Sequence, residues 1–112
     1  MSIITITNSS RPTLPDSKPV TQDVNLPLAN RENKTLSSLD LIYSDPDGDP
    51  ITNVRFIGDT SRLYTDSGYT NNYVSGTELP ITFVLYYKAP DQDALYSYQV
   101  QYNVKANGVW SS

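Results

Sequence analysis

The chain contains neither histidine nor cysteine. Without histidine there is no Ser-His-Asp or Cys-His catalytic centre and no His-ligated zinc, haem or copper site. Without cysteine there is no disulfide bond, thiolate metal site or dithiol redox motif. Glutamate is also scarce, with two residues, and the five glycines are isolated rather than grouped into a phosphate-binding loop. We therefore expect a protein that is not an enzyme.

Positive charge is limited and scattered. The eight Lys and Arg residues are outnumbered by twelve Asp and Glu residues, which gives a formal net charge of -4. The basic residues form no stripe along the sequence, so no nucleic-acid partner is predicted. The apolar runs are too short to span a bilayer, and the N-terminus lacks the basic start and apolar core of a signal peptide.

Two residue types are in excess for a chain of 112 residues, which is the length of a single domain with a tail. There are nine tyrosines against two phenylalanines and one tryptophan, and ten aspartates against two glutamates. Tyrosine favours strands, whereas aspartate favours turns and is a ligand of hard cations. The composition predicts an acidic all-β module.

The sequence divides into an N-terminal arm with a proline-rich linker, residues 1–18, and a folded domain, residues 19–112. The arm contains a short β-branched segment, Ile3 to Thr7, and is followed by NSSRPTLPDSKP with three prolines. Such a segment can add as a strand to the sheet of a partner. It can equally be the tail of a preceding domain or the first strand of this one.

Alternation of apolar and polar residues predicts strands in the folded domain. The clearest strand runs from Tyr96 to Val104, and others are predicted at Val20 to Leu28, Ile51 to Ile57 and Ile81 to Lys88. Asn107-Gly108 is typical of a two-residue hairpin turn. About seven short strands separated by Gly, Pro and Asp turns indicate a β-sandwich.

Three aspartates alternate in the loop SDPDGDP, residues 44–50. Asp45, Asp47 and Asp49 repel one another, and a hard divalent cation such as Ca²⁺ relieves that repulsion because it binds six to eight oxygens. The spacing is not that of an EF-hand, since the glycine and glutamate of that motif would fall on Pro50 and Phe56. The alternative is that Asp-Pro and Asp-Gly steps simply make a solvated turn.

The stretch TLSSLDLIYSDPDGDPITNVRF, residues 35–56, resembles bacterial cadherin-like and related Ig-like tandem-repeat domains. The segments FVLYYKAP and LYSYQVQYNV follow in the order and spacing of that family, so the resemblance covers residues 19–112. The end of the chain, YSYQVQYNVKANGVWSS, also looks like the end of a fibronectin type III domain. The early tryptophan of that second family is absent, because Trp110 is the only tryptophan.

The resemblance implies a Greek-key β-sandwich that serves as a spacer or adhesion module of a surface protein, often with calcium at a domain boundary. Carried over by position, Asp45, Asp47 and Asp49 would be the calcium ligands. The sequence departs from the family where an Asp often completes the cation site, because Tyr102 and Asn103 occupy the comparable positions.

Tyrosines in the polar middle of the chain are candidates for a ligand-binding platform. Tyr64, Tyr69 and Tyr73 lie outside any clear alternating pattern, and tyrosine offers both flat contact area and a hydroxyl group. A platform of this kind would suit a sugar or a protein. The alternative is that all three are ordinary residues of a sheet.

Three functions are compatible with these features. The first is a structural or adhesive module, extracellular or on the cell surface, with protein partners or neighbouring domains and possible Ca²⁺. The second is a small bacteriophage virion protein of Ig-like fold, a capsid decoration or fibre component docked through its N-terminal arm. The third is a carbohydrate-binding module.

Overall fold

The structure is a computed structural model that describes residues 2–4 and 17–111. In this part of the chain, nine short strands and one 3-10 turn follow one another. In chain order they are β1 (Val20–Gln22), β2 (Lys34–Leu36), the 3-10 turn (Ser38–Asp40), β3 (Ile42–Ser44), β4 (Ile51–Ile57), β5 (Leu63–Tyr64), β6 (Leu79–Pro80), β7 (Leu85–Tyr87), β8 (Gln101–Ala106) and β9 (Val109–Trp110). The fold is therefore all-β, as the sequence predicts.

The strands form three antiparallel sheets. The largest has the order β6-β4-β8-β9, the second has the order β2-β7-β5, and β1 pairs with β3. The longest pairing joins β4 to β8 from Ile51 and Ala106 to Ile57 and Gln101. β8 continues into β9 through the predicted turn, where Asn107 and Gly108 have φ angles of 48° and 77°.

The hydrophobic core contains side chains from both larger sheets. Val54, Phe56 and Val104 come from the four-stranded sheet, and Leu63 and Leu85 come from the three-stranded sheet. Phe83 and Tyr73, from the intervening segments, complete the cluster, and Phe56 contacts the rings of both edge-to-face. A core enclosed by two antiparallel sheets gives the β-sandwich that the alternating pattern predicts.

The small β1-β3 sheet is attached to the four-stranded sheet by the hydroxyl group of Tyr102. This hydroxyl lies 2.7 Å from the carbonyl oxygen of Gln22, 2.9 Å from that of Ile42 and 3.3 Å from the Ile42 amide nitrogen. Since Gln22 ends β1 and Ile42 begins β3, one tyrosine of β8 holds both strands. The same small sheet fixes the position of the aspartate loop, which follows β3 directly.

Several strands are shorter than the sequence predicts, and their number exceeds the predicted seven. The strand expected from Tyr96 begins at Gln101, and the strand expected over residues 81–88 is confined to Leu85–Tyr87. The strand expected from Val20 ends at Gln22. The apolar face expected there is not buried, because the exposed fractions of Val20, Leu26 and Leu28 are 47%, 42% and 37%.

The facing of side chains agrees with the sequence prediction better than the strand lengths do. Phe83 and Leu85 are buried, whereas the adjacent Val84 is 47% exposed. Within β4, Val54 and Phe56 are buried as predicted.

Most of the N-terminal arm and linker, residues 5–16, lies outside the described residues. Of the segment predicted as a strand from Ile3 to Thr7, the structure describes only Ile3 and Ile4. In the described ranges, no helix has the length and apolar character needed to cross a membrane.

Candidate functional site

The aspartate loop connects β3 to β4 and is folded by its own first carboxylate. Oδ1 of Asp45 accepts hydrogen bonds from the backbone amides of Asp47, at 2.8 Å, and Asp49, at 3.2 Å. The Asp45 carbonyl accepts a third bond from the Gly48 amide, at 3.0 Å. Gly48 has a φ of 75°, a conformation that glycine adopts without steric cost, so the Asp-Gly step is needed to close this turn.

Closing the turn brings the three predicted ligands together. One carboxylate oxygen from each of Asp45, Asp47 and Asp49 lies within 4.8 Å of the other two. Oxygens bound to one Ca²⁺ at about 2.3–2.6 Å are at most about 5 Å apart, so this spacing is compatible with a shared calcium ion. Asp45 and Asp49 are half-buried and Asp47 is exposed, which leaves one side of the cluster open to solvent.

The second oxygen of Asp45 is the feature that a turn alone does not explain. Oδ2 of Asp45 is buried and has no hydrogen-bond partner among the described residues. Leaving a buried charged acceptor without a partner costs more than about 1–3 kcal/mol, and a cation bound to this oxygen would remove that cost. The donor set, consisting only of carboxylates with access for water, fits a hard cation such as Ca²⁺.

The chain that enters the domain contacts the same loop. Oδ2 of Asp47 accepts a hydrogen bond of 2.7 Å from the backbone amide of Ser17, and Pro19, two residues further on, is buried. The loop therefore lies where residues 17–19 lead into β1. This is the position at which a cation held by the loop would also hold the entering chain.

The acidic pair Asp91 and Asp93 and the two residues at the family's completing position, Tyr102 and Asn103, all have partners outside the loop. Asp91 and Asp93 form ion pairs with Arg31, at 2.6 Å and 2.8 Å, on an exposed part of the surface. Tyr102 anchors the small sheet, and the side-chain Nδ2 of Asn103 donates to the Ser111 carbonyl, at 3.1 Å. Among the described residues, the candidate ligands that the structure brings together are thus the three aspartates of the loop.

The tyrosine platform predicted from the sequence is wrong for one of its three members. Tyr73 is 1% exposed and belongs to the core. Its hydroxyl accepts a hydrogen bond of 3.0 Å from the Phe56 amide and donates to the Thr77 carbonyl. Burial raises the pKa of the Tyr73 phenol. Such a side chain cannot contact a ligand at the surface.

Tyr64 and Tyr69 do lie together at the surface. Their rings pack edge-to-face, with centroids 5.7 Å apart. Tyr69 is presented by a loop that Asp66 closes, because the Asp66 carboxylate accepts from the Thr70 hydroxyl, at 2.6 Å, and the Asn71 amide, at 2.8 Å. These bonds lower the pKa of Asp66, so the loop keeps its charged cap at neutral pH.

Two cations and two further tyrosines extend this pair. Tyr64 of β5 lies directly opposite Tyr86 of β7, on the side of the sheet away from buried Leu63 and Leu85. The Lys88 ammonium lies 5.5 Å from the centre of the Tyr69 ring. We call the whole surface the tyrosine-cation face, and it consists of Arg62, Tyr64, Tyr69, Tyr86, Lys88 and Tyr96.

Arg62 joins Tyr96 to the rest of the tyrosine-cation face. Its guanidinium carbon lies 5.0 Å from the centre of the Tyr96 ring, and its Nε donates to the Tyr96 hydroxyl, at 3.0 Å. Its Nη1 donates to the Lys88 carbonyl, at 3.2 Å. The bond to Tyr96 raises the pKa of Arg62, which therefore remains positively charged.

The sequence pattern does not predict that one surface contains Arg62, Tyr86, Lys88 and Tyr96. Part of the signal was present, because the alternation in FVLYYK places Tyr86 and Lys88 on the side opposite Leu85. The position of Arg62 and Tyr96 depends on contacts between residues 34 positions apart, for which the local pattern contains no signal.

Comparison with known proteins gives no match: no family model, no curated protein and no solved structure was found to match the chain.

Proposed function

We propose that the chain is a non-enzymatic structural or adhesive β-sandwich module, of the cadherin-like or Ig-like type, that acts outside the cytoplasm and is stabilised by Ca²⁺. The observation that carries this proposal is the close approach of the Asp45, Asp47 and Asp49 oxygens, within 4.8 Å of one another. The buried, unpartnered Oδ2 of Asp45 supports a bound cation over a plain turn.

The role of the cation follows from where the loop lies. The loop links β3 to β4 and contacts the backbone at Ser17, where the chain enters the domain. A calcium ion bound to the three carboxylates would neutralise their repulsion and hold the entering chain against the sandwich. With the entering chain held in this way, the module would transmit force between neighbouring domains or partners without bending where residues 17–19 join the sandwich.

Thermal unfolding in the presence of about 10 mM CaCl₂ and in the presence of EDTA tests the metal. Calcium sites of extracellular modules bind with dissociation constants of about 0.1–1 mM. At that affinity, binding to the native state adds about 1.4–2.7 kcal/mol to the free energy of unfolding. We expect the melting temperature to rise by several degrees with CaCl₂ and by less with MgCl₂.

A matched pair of variants tests whether the response to CaCl₂ depends on the aspartate loop or on acidic side chains in general. D45N removes one ligand charge and is expected to abolish the response to CaCl₂. D91N removes an exposed carboxylate that pairs with Arg31 outside the loop and is expected to keep the response. Equal melting temperatures with CaCl₂ and EDTA, or a D45N variant that responds like the parent chain, would overturn the calcium proposal.

A second function, a virion or surface-array component docked through its N-terminal arm, is favoured by Ile3 and Ile4. These residues are 75% and 88% exposed, and they begin the β-branched segment that is suited to strand addition. Sedimentation velocity of the whole chain and of its I3D/I4D variant tests this function. Assembly that the double substitution removes supports docking through the arm, whereas a monomer in both cases rejects self-assembly.

A further inference from the structure

The tyrosine-cation face contains two cations that form no ion pair within the described residues. Ion pairs within the described residues join Arg31 to Asp91 and Asp93, Lys34 to Asp40, and Lys105 to Glu78. Neither Arg62 nor Lys88 has a carboxylate oxygen within 4.0 Å in this part of the chain. In a chain of net charge -4, two adjacent cations on one sheet face mark a local site for an anion.

Both cations lie against aromatic rings and are held by contacts within the face. Arg62 is fixed by its bonds to the Tyr96 hydroxyl and the Lys88 carbonyl, so little freedom remains to be lost when a ligand binds. Lys88 lies over Tyr69, and the backbone amide of Lys88 donates to the Arg62 carbonyl, at 3.1 Å. The arrangement is therefore organised before a ligand arrives.

The tyrosines supply the other half of a recognition surface. Tyr64, Tyr69, Tyr86 and Tyr96 each combine a flat ring with a hydroxyl, and Tyr96 is 40% exposed. Rings of this kind pack on the apolar C–H side of a sugar, while hydroxyl groups exchange hydrogen bonds with sugar hydroxyls. Tyr64 and Tyr86 lie on the outer face of the three-stranded sheet, and Tyr69 packs against Tyr64, so these rings form a surface suited to a flat, hydroxylated ligand.

We propose that the tyrosine-cation face binds acidic saccharides, with tyrosine rings packed on the sugar rings and Lys88 and Arg62 paired with a sugar carboxylate. A neutral sugar would leave both cations without a counter-charge, and so would bind more weakly. Tyr64 and Tyr86 belong to β5 and β7 of the three-stranded sheet, whereas the aspartate loop joins β3 to β4, so this inference does not rest on calcium binding.

An oligosaccharide array tests the ligand class. The probes are a hyaluronan tetrasaccharide, an oligogalacturonate and 3′-sialyllactose, each beside a neutral counterpart, with tyrosine-phosphorylated peptides as a competing class of anion. The chain is applied in EDTA, so that failure of the calcium proposal leaves this test unaffected. We expect at least one acidic oligosaccharide to bind about tenfold more tightly than its neutral counterpart.

Variants locate the binding to the proposed face. K88A and Y64A are each expected to weaken binding of the retained oligosaccharide about tenfold. K18A is the matched control, because Lys18 is exposed and lies in the entering chain, and it is expected to bind as the parent chain does. If Y64A fails to fold, as judged by its circular dichroism, K88Q replaces it, since Lys88 is exposed.

Four outcomes would overturn the proposal. They are no binding to any saccharide, equal binding of acidic and neutral counterparts, binding of the phosphopeptides alone, and saccharide binding that K88A and K18A reduce equally. Selective acidic-saccharide binding that K88A weakens and K18A does not would support it.

Discussion

At the scale of single residues, the hydroxyl of Tyr73 connects two segments that are far apart along the chain. It accepts from the Phe56 amide in β4 and donates to the Thr77 carbonyl in the segment that leads to β6. The Tyr73 carbonyl in turn accepts from the Thr60 hydroxyl, at 3.1 Å. Because Tyr73 is almost completely buried, water cannot replace these bonds.

Replacing Tyr73 by Phe keeps the ring in the core and removes only the hydroxyl. The buried Phe56 amide then loses its acceptor, and an unsatisfied buried donor costs about 1–3 kcal/mol. We expect Y73F to lower the free energy of unfolding by that amount in urea titrations monitored by tryptophan fluorescence. Y64F, which removes a hydroxyl from a half-exposed ring, is expected to change it by less than about 0.5 kcal/mol, and equal losses in the two variants would contradict the assigned role.

The burial of Tyr73 could not be predicted from the sequence, because no alternating apolar pattern surrounds it. Its position results from a long-range bond, in which the Tyr73 amide donates to the Leu63 carbonyl, at 2.8 Å. The aspartate loop is the opposite case. Its closure depends on residues within five positions of one another, and the local spacing predicted which oxygens would meet.

At the scale of elements, the β8-β9 hairpin shows how a turn and a stacked side chain act together. The two strands pair Lys105 with Trp110, and the centre of the Trp110 ring lies 4.1 Å from the Arg55 guanidinium and 5.4 Å from the Lys105 ammonium. This contact requires the chain to reverse within Asn107 and Gly108. The positive φ angles of both residues are those of a tight hairpin turn.

Adding a side chain at Gly108 tests the turn. A Cβ there would meet no atom within 4 Å, so the cost of G108A comes only from its φ of 77°. We expect a loss of about 1–2 kcal/mol in the free energy of unfolding by urea titration. A G108A variant as stable as the parent chain would show that the turn rearranges.

The strand lengths could not be predicted, since alternation reports which side is buried but not whether a partner strand is present. Tyr98 and Val100 pack against the core as the pattern predicts, yet the pairing of β8 with β4 begins only at Gln101. The reason is that β4 ends at Ile57, and Gly58, with a φ of 99°, turns the chain away. The hairpin at Asn107-Gly108 was predictable because both of its strands are joined by a local turn.

At the scale of the whole molecule, tyrosines from different segments are buried around one core between the sheets. Tyr73 belongs to the core, and Tyr87 and Tyr98 pack against it with ring centroids 5.4 Å apart. Burial raises the pKa of all three phenols, and that of Tyr98 reaches about 12. In the unfolded chain the same groups would release their protons near the ordinary value of about 10.

This difference predicts how stability depends on alkaline pH. Between pH values of about 10 and 12, the unfolded chain has lost the Tyr98 proton while the folded protein still holds it, so the free energy of unfolding falls as pH rises. Below about pH 10 these groups are protonated in both states and contribute no slope. Urea titrations across this range measure the effect, and Y98F is expected to make the decline shallower.

The Tyr98 hydroxyl also donates to the Asp59 carbonyl, so Y98F lowers the free energy of unfolding at neutral pH. The quantity to compare between Y98F and the parent chain is therefore the slope of the free energy of unfolding against pH. A decline identical in Y98F and the parent chain would contradict the assignment of the raised pKa to Tyr98.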